Sequence, residues 1–173
     1  MRDPLWTLPN IVSLSRLGLA AAFVVIEDVA WRLALVGIAT TSDYVDGWLA
    51  RRRNAFSRLG ALIDAGTDRA FVVTAVATLA WEGALSSLDV AVFLSRDLAT
   101  ALGFMAKRFV SAIRDVTFVA RFPGKVVTVL QLLALTVAIA APRRFDALIV
   151  VLAAASFIAI ADYAWVPWRS RAR

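Results

Sequence analysis

The chain has 173 residues, 61% of them hydrophobic, a mean hydropathy of +0.75 and a formal charge of +6. Soluble domains are about 45–50% apolar, so this composition points to a membrane protein, and the length leaves little room for a separate soluble domain. With no cysteine and no histidine, disulfides, thiolate zinc sites, thiol nucleophiles and imidazole bases are excluded, and the positive charge suits an anionic membrane surface and phosphorylated substrates rather than nucleic acid.

Hydropathy and helix breakers predict six helices, at 10–27, 31–51, 58–81, 86–107, 124–141 and 146–166. Pro9 precedes the first, Gly83 follows the third, Pro123-Gly124 precedes the fifth, Pro142 ends it, and Pro167 ends the sixth. The first apolar stretch lacks a clear small-residue cleavage site and reads as a span. The expected fold is an all-α integral membrane protein, a six-transmembrane-helix bundle forming a single domain over residues 1–173.

Charge interrupts five of the six helices. Arg16 lies in the first, Asp43 and Asp46 in the second, Asp64, Asp68 and Arg69 in the third, Arg96 and Asp97 in the fourth, and Asp162 in the sixth. Charged side chains at membrane depth face a bundle interior or a wet cavity. The pattern therefore predicts a polar chamber; Asp162 fits a structural role in it. Lys and Arg concentrate at the N-terminus, residues 51–58, residues 107–125 and the C-terminal tail. The positive-inside rule then puts both termini and the chamber mouth on the cytoplasmic side of a bacterial-type inner membrane. Trp6, Trp31, Trp48, Trp81, Trp165 and Trp168 all fall near helix ends, as interfacial belts do.

The densest chemistry is in the second and third helices. Asp43-Tyr44-Val45-Asp46-Gly47-Trp48-Leu49-Ala50-Arg51 reads D-x-x-D-G-x-x-A-R, and Gly60 to Asp68 reads G-x-x-x-D-x-x-x-D. Asp43 and Asp46 share one helix face by spacing, as do Asp64 and Asp68. Four converging carboxylates repel without counter-ions, and oxygen-only ligation suits Mg²⁺ or Mn²⁺. Two such ions about 3.5–4 Å apart form a clamp for phosphoryl chemistry. Gly47 and Gly60 allow close approach, Arg51 can meet a phosphate, and Ser57 can donate to one.

This motif resembles the signature of the CDP-alcohol phosphatidyltransferase family at every fixed position. The likeness extends to the length, the six spans and the opening Leu8-Pro9-Asn10-Ile11. It implies that Asp43, Asp46, Asp64 and Asp68 bind two metal ions and that Asp68 is the general base. It also implies that Gly47, Arg51 and Ser57 contact the CDP moiety of CDP-diacylglycerol, with Asn10 nearby. Membrane lipids surround such a chain, and homodimers are usual in the family.

Two features resemble the phosphatidylglycerophosphate synthase branch: Ser95-Arg96-Asp97, and the G-K-x-x-T-x-x-Q pattern from Gly124 to Gln131. They imply that Arg96 and Lys125 hold the phosphate of glycerol 3-phosphate. Arg96 can instead pair structurally with Asp97, and Lys125 can be a positive-inside residue. After Asp64 the chain has Ala65-Gly66-Thr67-Asp68-Arg69, closer to the inositol-phosphate branch. The Lys–Thr–Gln pattern is shared in part with CDP-dependent cardiolipin synthases, whose acceptor is phosphatidylglycerol. Two readings outside the family are an intramembrane prenyltransferase and a divalent-cation transporter. All four acids on one helical hairpin disfavour the first, and Arg51 and Arg58 at the mouth disfavour the second.

Overall fold

The computed structural model describes the backbone of residues 8–52, 58–109 and 122–171, and side chains over 14–42, 66–103, 105 and 123–162. Among the described residues every element is helical: α1 (Leu8–Val25), α2 (Val29–Arg52), α3 (Arg58–Trp81), α4 (Ser87–Phe109), α5 (Phe122–Ala140), a 3-10 turn over Pro142–Arg144, and α6 (Phe145–Arg171).

Local chemistry explains the ends. Asp28 caps α2, its Oδ1 accepting from the Trp31 N–H at 3.0 Å. Ser86 and Asp89 form a reciprocal capping box at α4: the Ser86 N–H donates to Asp89 Oδ2 at 2.8 Å, and the Asp89 N–H donates to Ser86 Oγ at 3.2 Å. Gly83, at φ 77°, closes α3 as expected. Its N–H donates to the Ala80 carbonyl at 3.1 Å and the Ala84 N–H to that of Leu79 at 2.8 Å, a Schellman pair that needs the left-handed conformation glycine adopts freely.

The prolines depart from expectation. Pro9 and Pro123 stand inside the first turns of α1 and α5, not ahead of them. A proline there gives up an N–H that has no intrahelical partner anyway. Pro142 does stop α5, but α6 runs past Pro167 to Arg171. Proline removes its own donor and crowds the carbonyl four residues back, but the residues beyond it can still bond backward along the helix.

The chain divides into two compact units, Met1–Ala84 and Leu85–Arg173. In the first, α1 packs mainly on α3, and its other neighbour is α2. The buried stripe Arg16, Ala20, Phe23 of α1 repeats at helical period, as does Thr67, Phe71, Ala75, Leu79 of α3. Phe23 meets Phe71 edge-on, centroids 6.1 Å apart. Arg32 of α2 lies over the Phe23 ring at 5.0 Å and binds Glu82 beyond α3 through both terminal nitrogens, at 2.6 and 2.5 Å.

In the second unit α6 packs on α5 and α4. Its core is Phe93 of α4, Val127, Ala134 and Leu135 of α5, and Phe145, Leu152 and Ala159 of α6. Phe93 and Phe145 stack with their planes 8° apart.

Two stretches, Pro123–Ala140 and Pro142–Asp162, are long and apolar enough to cross a membrane, and α1 and α2 carry the shorter apolar stretches Leu14–Val25 and Val29–Ser42. Large apolar side chains such as Val25, Val129, Val150 and Phe157 lie on the outside. Water would solvate that surface poorly, whereas lipid tails match it.

Candidate active site

The motif occupies the last turns of α2 and the first turns of α3. Asp43, Asp46, Gly47 and Arg51 are in α2, and Asp64 and Asp68 are in α3. Asn10 lies in the first turn of α1. The side chains of Asn10, Asp43, Asp46, Arg51 and Asp64 lie outside the described residues, as does Ser57 entirely. Just ahead of Asp43, Thr40, Thr41 and Ser42 each donate a hydroxyl to the carbonyl four residues back, at 2.8, 2.8 and 2.7 Å. This satisfies three polar side chains within an apolar helix before the carboxylates begin.

Asp68 is the motif acid whose surroundings are described. Its Oδ1 forms an ion pair with the Arg16 guanidinium of α1. Arg16 is 1% exposed, whereas the Asp68 side chain is 35% exposed. The carboxylate therefore has a buried cation behind it and open space on another side. Gly66 stands two residues earlier, where an added Cβ would meet nothing. Sequence reasoning placed Arg16 in a polar interior but gave it no partner or role. The signal was a cation in an apolar helix, which needs a countercharge; spacing alone does not say which one.

The second unit contains another polar cluster. Arg96 of α4 is buried and its Nη1 meets Asp97 Oδ1 at 3.2 Å. Its Nε is buried with no hydrogen-bond partner among the described residues. Gln131 of α5, 1% exposed, donates Nε2 to the Phe93 carbonyl at 2.6 Å and to Asp97 Oδ2 at 3.3 Å. The structural pairing of Arg96 with Asp97 is thus present. Lys125 stands exposed near the start of α5. Gln131 was visible in the sequence as part of a pattern, but its task of tying α5 to α4 was not.

Among the described residues no three metal-binding side chains gather; the side chains of Asp43, Asp46 and Asp64 lie outside them. The donor chemistry still fits a hard divalent ion. The motif supplies carboxylate oxygens, and Arg16, paired with Asp68, offsets a single negative charge. An open groove of about 880 Å³ in the first unit lies toward the other end of α1 and α3. It is lined by Val24, Thr74, Thr78, Trp81 and Glu82 among others, and contains none of the motif acids.

Comparison with known proteins converges on one family. A Mycobacterium tuberculosis protein, whose name gives cardiolipin synthase provisionally, is 37% identical over 121 residues, 66% of this chain and 57% of that protein. The cardiolipin synthase (CMP-forming) of Streptomyces coelicolor is 33% identical over 104 residues, 55% of this chain and 48% of that protein. An Aquifex aeolicus protein named CDP-diacylglycerol–glycerol-3-phosphate 3-phosphatidyltransferase is 32% identical over 108 residues, 58% of this chain and 61% of that protein. The matched region thus spans about half to three-fifths of these relatives' own lengths. The family profile described as CDP-alcohol phosphatidyltransferase matches residues 6–164, a stretch that takes in the four motif aspartates and the helices carrying them. On that near-complete match, the chain belongs to the CDP-alcohol phosphatidyltransferase family.

Proposed function

We propose that the protein transfers a phosphatidyl group from CDP-diacylglycerol to a glycerol hydroxyl, with glycerol 3-phosphate as acceptor, forming phosphatidylglycerophosphate and CMP. The observation that carries the reading is the environment of Asp68: a carboxylate held against a buried cation yet open on another side. The pairing keeps the carboxylate ionised and fixed in direction, and the open side is where an incoming hydroxyl could meet it within hydrogen-bond reach.

In this mechanism Asp68 takes the proton of the acceptor hydroxyl as its oxygen attacks the lipid-side phosphorus. A new P–O bond forms, the pyrophosphate P–O bond breaks, and CMP departs. Arg51 and Ser57 bind the CDP phosphates and Gly47 lets the nucleotide approach, with Asn10 close by. Arg96 and Lys125 hold the acceptor phosphate, the first with directional donors and the second as a point charge. Asp43, Asp46, Asp64 and Asp68 would hold two Mg²⁺ or Mn²⁺ ions, which when bound neutralise charge on the pyrophosphate as CMP leaves. We read the six helices as six spans of one domain, with both termini and the site facing the cytoplasm and the chain acting as a homodimer.

A second acceptor has specific support. The mycobacterial and Streptomyces relatives carry the cardiolipin synthase name. Arg96 is also already engaged by Asp97, which weakens its claim on a dianionic phosphate monoester. Phosphatidylglycerol presents the same glycerol hydroxyl with a phosphodiester of lower charge. CMP release from CDP-diacylglycerol in mixed micelles with Mg²⁺ or Mn²⁺ tests both. Release with glycerol 3-phosphate alone supports the first acceptor, and release with phosphatidylglycerol alone replaces it with the second. No release with either, or with inositol phosphate, from folded protein would reject phosphatidyl transfer.

A further inference from the structure

We propose that Arg16 is the positioning residue of the Asp68 carboxylate, setting its orientation for metal binding and proton transfer; this rests on the reading of Asp68 given above. At 1% exposure Arg16 has almost no surface with which to touch substrate, so an effect on the reaction passes through the side chains it holds, Asp68 among them. A buried cation is expensive, and a purely structural pair at such a place can often be replaced by apolar residues without loss. The partner here is the last acid of the motif, on the neighbouring helix, with an open side left to it.

The seam between α1 and α3 gives the contact a fixed height. Seven residues beyond Arg16, Phe23 meets Phe71, three residues beyond Asp68, edge-on at 6.1 Å. Beyond that pair, Arg32 caps Phe23 and clasps Glu82 past the end of α3. These contacts hold the register of the two helices, so the guanidinium stays opposite the carboxylate. The contact runs from one terminal nitrogen, Nη1, to Oδ1, and the rigid guanidinium plane fixes its direction more closely than an ammonium on a flexible stem would. A partner of this kind acts on a metal-binding carboxylate as an outer hydrogen bond does, and losing one typically reduces metal affinity or activity about 10–100-fold.

The test compares the full chain in micelles with Arg16→Gln and Arg16→Lys. It measures kcat, KM for CDP-diacylglycerol, thermal stability, and Mn²⁺ affinity by electron paramagnetic resonance. Arg16→Gln should lower kcat about 100-fold and weaken Mn²⁺ binding about tenfold, with KM within about threefold. Arg16→Lys should fold with near-normal stability and lose about tenfold in kcat, because it restores charge without the planar fork. Wild-type kcat and Mn²⁺ affinity in folded Arg16→Gln would overturn the proposal. So would tighter Mn²⁺ binding in that variant, which would make Arg16 a stand-in cation. If Arg16→Gln does not fold, wild-type kcat and Mn²⁺ affinity in Arg16→Lys overturn it equally. Absence of CMP release from the wild type would reject phosphatidyl transfer instead, and the Mn²⁺ measurement alone would then decide the role of Arg16.

Discussion

Replacing Arg32 with methionine removes one guanidinium that joins three parts of the first unit. Its Nε donates to the Ile26 carbonyl at 2.6 Å, its terminal nitrogens reach Glu82 at 2.6 and 2.5 Å, and its plane covers Phe23 at 5.0 Å. Hydrogen bonds to charged groups contribute about 1.5–3 kcal/mol each at most, and the ring contact about 0.5–2 kcal/mol. The sum overstates the loss. Glu82 is 34% exposed and regains water once the cation leaves, while methionine keeps the packing of the stem. A net loss of about 2–3 kcal/mol is expected at pH 7. Equilibrium unfolding in mixed micelles, followed by circular dichroism, measures it.

The pH dependence supplies a second check. The hydrogen bond from Arg32 holds the Glu82 carboxyl below its ordinary value of 4.5, with burial pushing the other way and the Arg32 charge adding to the lowering. A carboxyl lowered by folding contributes its stability fully above the unfolded value and loses it as pH falls through the folded value. The stability difference between wild type and Glu82→Gln should therefore be full at pH 7 and shrink below about pH 4.5. Arg32→Met within about 0.5 kcal/mol of wild type, or a Glu82→Gln difference unchanged between neutral and acid pH, would refute the clamp.

Asp68→Asn should lower turnover by about 10²–10⁴-fold while keeping the helical circular dichroism of the wild type, because the amide oxygen still accepts from Arg16. Near-normal turnover would remove Asp68 as the base. Lys125→Ala should raise KM for glycerol 3-phosphate about tenfold and leave KM for CDP-diacylglycerol unchanged; equal effects on both would remove its acceptor role. Gln131→Leu deletes the 2.6 Å bond to the Phe93 carbonyl and should destabilise the protein by about 1–2 kcal/mol in the same unfolding assay. Unchanged stability would mean that packing alone joins α5 to α4 there.

Much of the helical plan was legible from local chemistry. Gly83 stops α3 because its backbone takes φ 77°, and Pro142 stops α5 because it cannot extend the ladder. Pro167 misled because a proline near a helix end costs one donor and need not end the helix. In the site, the motif named four acids, but only Asp68 has its surroundings described. The acceptor pattern named Arg96 and Lys125, whereas the structure gives Arg96 an acidic neighbour and leaves Lys125 exposed.

The sequence by itself determined the helices and the family, because periodicity, breakers and motif spacing are properties of neighbours along the chain. It also determined that the aspartate pairs fall on adjoining helices, since that follows from covalent order. Only the tertiary structure decided that Arg16 faces Asp68, that Arg32 reaches Glu82, and that Gln131 bonds the Phe93 carbonyl. Those partners lie many residues apart, and their meeting depends on how each helix is rotated and how far it slides along its neighbour. A one-residue change turns a helical side chain by about 100°, so partners across helices are fixed by packing rather than by any local pattern.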